Sequence, residues 1–135
     1  MQYLLDTNAI SDLMEGRRSV IDRLSAIEAS DAVVTCAIVQ GEVLFGIERL
    51  PSGKRRDRYA AKAAEVFSGI PCKGVPVSAA DHYAHIKNDR SRAGAPMSDN
   101  DLWIAATARA LGATLVSRDR DLEGIDDLLV ESWTT

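Results

Sequence analysis

The chain is poor in the residues that build disulfide frameworks and zinc sites. It has two cysteines and two histidines among 135 residues. Cys36 and Cys72 form no Cys-x-x-Cys pair, and neither lies near a pair of histidines, so both kinds of site are disfavoured. We expect both thiols to be small buried groups in a reducing compartment.

Long apolar runs are also absent. No stretch approaches the roughly 20 residues that a membrane-spanning helix needs, and Asp6 comes too early in the chain for a signal peptide. The apolar fraction of 46% and the charged fraction of 27% are ordinary for a soluble globular protein. These features predict one cytoplasmic domain, residues 1–135, with no membrane partner.

An excess of positive charge is missing as well. The net charge is −4, which argues against non-specific binding of nucleic acid through overall charge. A local basic patch remains compatible with this balance, because binding depends on where the charges lie as well as on their sum.

Short apolar runs alternate with longer segments of helical periodicity. The predicted strands are Gln2–Leu5, Ala32–Cys36, Gly74–Val77, Ala113–Ser117 and Leu129–Glu131. The predicted helices are Ala9–Glu15, Ser19–Glu28, Ile38–Leu50, Lys54–Phe67, a helix from the capping residue Ser78 to Arg92, and Leu102–Leu111 after the capping residue Ser98. Apolar strands that alternate with helices are typical of a parallel sheet covered on both faces. The pattern therefore predicts a single-domain, doubly wound α/β/α sandwich around a parallel sheet of about five strands.

Two acidic residues follow predicted strands. Asp6 comes after Gln2–Leu5, and Asp119 comes after Ala113–Ser117. In open parallel sheets, ligands bind outside the carboxyl ends of the strands. We therefore expect both carboxylates to lie at that edge of the sheet.

Two further acids lie on apolar helical faces. Glu42 has Ile38, Val39 and Phe45 at helical spacing, so we expect it to share their inward face. Asp101 opens the helix whose following turns are apolar, and it should also point inward. Buried carboxylates without partners cost several kcal/mol, roughly, unless they are protonated, paired or bound to metal.

Three of the four acids also have a structural explanation on their own. Asp6 could act only as a helix N-cap, Asp101 only as the third residue of a capping box, and Asp119 only as a turn residue. Glu42 has no such structural role. Because all four are expected at one sheet edge, a shared site is the better interpretation.

A cluster of carboxylates is stable mainly around divalent metal, because the charges repel one another. Oxygen ligands favour Mg²⁺ or Mn²⁺, and such ions catalyse the hydrolysis of phosphodiesters. The predicted metal ligands are Asp6, Asp101 and Asp119, with Glu42 binding directly or through water. The predicted supporting residues are Thr7, Asn8, Asn100, Ser117 and Asp121, of which Asp121 could replace Asp119 as the fourth acid.

Four segments carry a resemblance to a known family. They are Tyr3–Asn8, Glu42–Ile47, Asn100–Ala108 and Leu115–Ile125. Together they resemble the PIN-domain family, and in particular the VapC-type toxins of bacterial toxin–antitoxin pairs, along the whole chain. In that family the fourth acidic position varies and can be asparagine, whereas Asp119 is acidic here.

The resemblance implies a PIN-like fold and a Mg²⁺- or Mn²⁺-dependent endoribonuclease. Such toxins cleave cellular RNA, often tRNA or rRNA, and inhibit translation until a small cognate antitoxin of the VapB type binds them. The family also implies a homodimer. Operator DNA would be a partner only indirectly, through the antitoxin.

Basic residues suggest weak sites of RNA contact. Arg118 and Arg120 flank the fourth acid, where a contact to phosphate is plausible. Arg90 and Arg92 precede the loop that leads to the third acid. The run Lys54–Arg58 is better explained as a solvated helix face.

Three other functions compete with this prediction. A phosphatase of the haloacid dehalogenase type needs a second acid two residues after the first, where this chain has Asn8, and it needs a late lysine. A receiver-type signalling domain needs paired acids after its first strand and a lysine after its last active-site strand, but no lysine follows Lys87. A PIN-like protein that binds RNA, or regulates, without cleaving is the third alternative.

Overall fold

The structure is a computed structural model that describes residues 1–134. Its strands are β1 (Gln2–Leu5), β2 (Ala32–Cys36), β3 (Cys72–Lys73), β4 (Thr114–Val116) and β5 (Val130–Glu131). Its helices are α1 (Thr7–Met14), α2 (Arg18–Ser25), α3 (Ala37–Glu48), α4 (Lys54–Gly69), α5 (Ala79–Arg92) and α6 (Asp99–Leu111). A short 3-10 turn, Arg120–Leu122, follows β4.

All five strands form one parallel sheet in the order β3-β2-β1-β4-β5. The chain moves outward from β1 to β2 and β3, then returns across the sheet to place β4 on the other side of β1. Strand order therefore reverses between β1 and β4. In α/β sheets a crevice opens at this switch point, outside the carboxyl ends of the two strands.

The helices cover both faces of the sheet. Right-handed crossovers place α1 to α4 on one face and α5 with α6 on the other. Contacts between helices follow this grouping, except that α3 also contacts α6. The core lies between these layers, where Leu4, Leu5, Leu115 and Ala105 are fully buried. The predicted α/β/α sandwich with a five-stranded parallel sheet is confirmed.

Helix α6 shows how local sequence defines an element. The hydroxyl of Ser98 accepts a hydrogen bond from the Asp101 amide at 3.2 Å, which confirms the predicted N-cap. Gly112 ends the helix in the left-handed conformation at φ 66°, which glycine adopts at little cost. Between these ends, Ala105, Ala106 and Ala108 are fully buried, so small side chains let the helix approach the sheet closely.

The third strand is where the prediction fails. The structure places β3 at Cys72–Lys73, and Gly74–Val77 lies outside the sheet. Pro76 has no amide hydrogen for a ladder, and glycine is disfavoured in strands, so pairing ends at Lys73. Cys72, on this edge strand, is exposed, and the expectation of a buried thiol holds only for Cys36.

The expected cap at Ser78 is also wrong. Ser78 is itself in the right-handed helical conformation, and its side chain makes no capping hydrogen bond to the described residues. Elsewhere the predicted elements are confirmed, with ends that differ by a few residues. Helix α1 begins at Thr7, before the predicted Ala9, because Asp6 directly caps it.

The C-terminal strand is tied to α2 through Glu131. Its Oε1 accepts hydrogen bonds from Arg23 at 2.9 Å and from the Trp133 indole at 2.9 Å. The Arg23 guanidinium lies 5.6 Å from the ring centroid of Tyr3 and 5.4 Å from that of Trp133. Because the Ser117 amide donates to the Glu131 carbonyl at 3.0 Å, this arrangement also holds the end of β4.

Within residues 1–134, none of the helices combines the length and the apolar character that crossing a bilayer demands.

The Ser98 cap can be tested by substitution. We expect Ser98→Ala to lower the free energy of unfolding by about 1 kcal/mol, because the Asp101 amide loses its acceptor at the start of α6. Ser98→Thr, which keeps a hydroxyl, should retain most of the stability. Urea denaturation measures the difference. Equal stability of the alanine variant and the parent would show that the cap contributes nothing.

Candidate active site

Asp6 lies at the junction of β1 and α1. Its amide donates to the Val116 carbonyl at 3.1 Å, which continues the pairing of β1 with β4. Its carboxylate accepts from the Ala9 amide at 2.8 Å and so caps α1. The residue is only 7% exposed. The helix cap predicted as the structural explanation of Asp6 is therefore present, and it places the charge at the switch point.

The chain after β4 forms the other wall of the crevice. Ser117 is buried, and its hydroxyl accepts from the Asp119 amide at 3.1 Å. The Asp119 carboxylate in turn accepts from the Asp121 amide at 3.0 Å, which starts the 3-10 turn. Asp119 is half-buried, whereas Asp121 is exposed. Of the two candidates for the fourth acid, Asp119 is the one whose charge raises the pKa of Asp101.

Glu42 is held at both carboxylate oxygens. The Thr7 hydroxyl donates to Oε1, and the Asn100 amide donates to Oε2 at 3.2 Å. These bonds link α1, α3 and α6 at one point. The expectation that Glu42 shares an inward face with Phe45 is wrong, because Phe45 is 63% exposed and Glu42 is half-buried. Helix α3 is apolar on its outer side as well, so the apolar pattern does not mark the inner face.

The four acids interact through their charges. Burial raises the pKa of Asp101, and the charges of Glu42 and Asp119 raise it further, while the Ser98 side chain lowers it. Burial also raises the pKa of Asp6, and the charge of Asp101 adds to that effect. The Ser117 side chain, the Ala9 amide and the Arg118 charge act in the opposite direction on the Asp6 pKa. Asp6, Glu42, Asp101 and Asp119, here called the acidic cluster, thus share one electrostatic environment.

These pKa shifts determine how stability depends on pH. A carboxyl group whose pKa is higher in the folded chain than in the unfolded chain binds its proton more tightly when folded. Asp6 and Asp101 are of this kind, with ordinary values near 3.8. At a pH above the raised pKa values, the ionised carboxylates of Asp6 and Asp101 destabilise the folded protein, and this cost disappears as pH falls through those values towards 3.8.

The donor set of the acidic cluster is suited to a hard divalent cation. Its ligand atoms are carboxylate oxygens, with the Ser117 hydroxyl and the Asn100 amide beside them, and a cation would offset the repulsion that raises the pKa of Asp6 and Asp101. Within residues 1–134, no three Asp, Glu, His or Cys side chains are close enough together to hold a metal ion. The metal-ligand assignment therefore stays a prediction.

The other predicted residues divide into two groups. Thr7, Asn100 and Ser117 contact the acidic cluster, whereas Asn8 is exposed and makes no side-chain hydrogen bond to the described residues. Arg118 is the predicted basic residue that reaches the acidic cluster, since its charge lowers the pKa of Asp6.

The remaining predicted basic residues lie elsewhere. Arg92 and Arg120 are exposed, at the end of α5 and on the 3-10 turn. Arg90 is half-buried and donates through Nε to the Ala95 carbonyl at 3.0 Å. It therefore braces the loop before α6 and has a structural task of its own.

Sequence reasoning missed one charged residue beside the site. Asp12 on α1 is 3% exposed and forms ion pairs with Arg17 at 3.5 Å and Arg118 at 3.3 Å. The sequence places Asp12 between Ser11 and Leu13, with no sign that it is buried. Its pairing with Arg118 could not be predicted either, because only the pairing of β1 with β4 brings α1 and the end of β4 together.

The repulsion within the acidic cluster predicts the effect of neutralising one member. We expect Asp6→Asn and Asp101→Asn to raise the melting temperature of metal-free protein at pH 7 by about 2–5 °C, because each removes a like charge. Asparagine also preserves the cap at Ala9, whereas Asp6→Ala should lose it. The matched control is Asp121→Asn, which should change the melting temperature by less than about 1 °C. A loss of several degrees in both cluster variants would contradict the repulsion.

Comparison with known proteins identifies the family. The family model of the PIN domain matches residues 3–128 of this chain. Ribonuclease VapC1 of Haemophilus influenzae (strain R2866) is 30% identical over 139 residues, which cover 99% of each chain.

Two solved structures have the same fold. The VapBC-1 structure from nontypeable Haemophilus influenzae matches at 27% identity and a TM-score of 0.88, with 100% of both chains covered. The structure of VapBC2 from Rickettsia felis, bound to a promoter DNA fragment, matches at 23% identity and a TM-score of 0.91 over 99% of this chain and 100% of that one. At that identity the second likeness shows the fold alone. Because the family model matches nearly its whole length, the chain belongs to the PIN-domain family.

Proposed function

We propose that this protein is the toxin of a toxin–antitoxin pair, an endoribonuclease that hydrolyses phosphodiester bonds in cellular RNA and inhibits translation until its antitoxin binds. The observation that carries the proposal is the acidic cluster at the switch point between β1 and β4 of a PIN-domain chain. The likeness to Ribonuclease VapC1 supports the same class of reaction.

Divalent metal is part of this proposal. Asp6, Asp101 and Asp119 would hold Mg²⁺ or Mn²⁺, with Glu42 binding directly or through water. When bound, such an ion supplies positive charge to the scissile phosphate and acidifies the attacking water. The all-oxygen donor set supports this proposal, as do the burial and the like charges that raise the pKa of Asp6 and Asp101.

The protein side chains supply orientation. Asp6 is fixed by the first turn of α1, so its carboxylate does not need to reorganise when a ligand binds. Glu42 is oriented by Thr7 and Asn100, and we assign it the role of holding the attacking water at its carboxylate. Ser117 positions Asp119 through its hydroxyl.

The surface around Glu42 supports a nucleic-acid substrate. One recess of about 590 Å³ contains Phe45, Arg49 and Asn100, and another of about 230 Å³ contains Arg55 and Tyr59. Single-stranded RNA binds to such mixtures of aromatic and arginine side chains, by stacking of bases and contacts to phosphate. We propose tRNA or rRNA as the target, reached in the cytoplasm.

Partner proteins complete the proposal. Leu44 and Phe45 on the outer side of α3 are 49% and 63% exposed, beside Glu42, and an exposed apolar patch of this kind supports a protein interface. We propose a VapB-like antitoxin and a homodimer as the partners of the protein, with operator DNA bound only through the antitoxin. The likeness to the VapBC-1 structure from Haemophilus influenzae supports an antitoxin partner.

The test of the proposed reaction is cleavage of purified total RNA by the antitoxin-free protein, with Mg²⁺, with Mn²⁺ and with EDTA. We expect discrete fragments with either metal and none with EDTA, and their ends identify the target. Asp101→Ala should reduce cleavage by at least about 100-fold. Folded protein that cleaves no RNA under any of these conditions would favour a PIN domain that binds RNA without cutting it.

A paired substitution tests which residue is the fourth acid. We expect Asp119→Asn to reduce cleavage by about 10–100-fold, because the charge of Asp119 acts on Asp101, whereas Asp121→Asn should cleave at nearly the parental rate. Initial rates with excess RNA measure both. Equal loss in the two variants, or a larger loss for Asp121→Asn, would reverse the assignment.

A further inference from the structure

Asp12 is a buried carboxylate outside the acidic cluster. It lies on α1, and its side chain is only 5% exposed. One oxygen pairs with Arg17 at 3.5 Å, and the other pairs with Arg118 at 3.3 Å. The two arginines therefore bind different oxygens, and Arg17 alone would already balance the charge of Asp12. A structural role for Asp12 thus explains the first pair without explaining the second.

Arg118 is held in a defined place by this contact. It stands between Ser117 and Asp119, so its backbone lies at the rim of the acidic cluster. Asp12 binds it through Nε, and within residues 1–134 no hydrogen bond is found from its terminal nitrogens. Its side chain is 45% exposed. The end of the guanidinium is thus left for a solvent-side partner, while the inner nitrogen is anchored.

The ion pair with Asp12 restrains an arginine that lies beside four carboxylates. An unrestrained arginine at this position would be drawn onto Asp6 or Asp119 and would neutralise them. Among residues 1–134 the ion pair of Arg118 is with Asp12, and none is found between Arg118 and Asp6 or Asp119. Its charge still reaches the acidic cluster, because it lowers the pKa of Asp6. The result is a cation beside the carboxylates that does not block them.

We infer that Asp12 is a positioning residue, which fixes the Arg118 guanidinium at the rim of the acidic cluster so that its terminal nitrogens bind an RNA phosphate next to the scissile one. A planar guanidinium suits this contact, because it can bind two phosphate oxygens at once. This inference rests on the proposed function for its substrate. It assigns a role in RNA binding to Asp12, a buried residue that itself contacts neither RNA nor metal.

The test measures RNA binding without cleavage. All variants carry Asp101→Asn, and a labelled single-stranded RNA oligonucleotide of mixed sequence is titrated at several salt concentrations by fluorescence anisotropy. We expect Arg118→Gln to weaken binding roughly tenfold and to reduce the slope of log Kd against log salt by about one. Asp12→Asn should weaken binding about three- to tenfold.

The sign of the Asp12 effect separates positioning from general electrostatics. Asp12→Asn removes a negative charge, so a simple charge effect would tighten binding to RNA. The inference expects weaker binding despite that change. It also expects the double variant with Arg118→Gln to bind like Arg118→Gln alone, because the two residues act through one contact.

Arg17→Gln is the matched control. It removes the other ion pair of Asp12, so it perturbs the same buried carboxylate, but it should bind RNA like the parent. Thermal melts establish that each variant is folded at the temperature of the titration. Equal or tighter binding by Asp12→Asn, additive effects in the double variant, or weakening by Arg17→Gln as large as that by Asp12→Asn would overturn the inference.

Failure of the nuclease proposal would look different. Parental protein that cuts no RNA, together with binding that depends on Asp12 and Arg118, would retain this inference and remove the catalytic function. Cleavage by the parent with no effect of Asp12→Asn on binding would retain the catalytic function and remove this inference. Absence of any RNA binding by the parental protein would overturn the positioning role.

Discussion

The mutual repulsion of carboxylates at the junction between β1 and β4 is the constraint around which the rest of the molecule is organised. Burial and like charges raise the pKa of Asp6 and Asp101, so the folded chain holds these groups at a cost at neutral pH. A fold keeps such an arrangement only if other contacts over-determine it. In this protein those contacts come from every layer of the sandwich.

Each carboxylate is held by a different set of hydrogen bonds. The Asp6 carboxylate is held by the Ala9 amide of α1, that of Glu42 by hydrogen bonds from two other helices, and that of Asp119 by the Asp121 amide. The Ser98 cap fixes the turn of α6 that carries Asp101. Because these contacts belong to separate elements, no single loop movement disperses the acidic cluster. This rigidity suits a site that acts by electrostatic preorganisation.

Much of the fold was legible in the sequence, because buried parallel strands are short apolar runs and helices carry their own caps. The four acids could be selected as candidates for a similar reason, since two follow predicted strands and two lie on helices with apolar faces. The edge strand was placed wrongly at Gly74–Val77, where glycine and proline end the pairing that the apolar residues suggest. Phe45 was assigned to the inner face because helix periodicity alone does not distinguish a core from an exposed interface.

The ion pairs of Asp12 illustrate a different limit. The pairing of Asp12 with Arg118 depends on the order of strands, which brings the beginning and the end of the chain together. Local patterns contain no information about such contacts. The sequence leaves the choice between Asp119 and Asp121 open for the same reason, and the structure distinguishes them by their exposure and by the effect of Asp119 on the pKa of Asp101.

The pairing of β1 with β4 has a consequence for biosynthesis. Asp6 is synthesised long before Thr114, where the strand that completes its crevice begins, and Asp119 follows that strand. During translation β1 must wait for β4, and long-range pairing of this kind forms late. A nascent chain in which residues 114–119 have not yet left the ribosome therefore lacks an assembled acidic cluster.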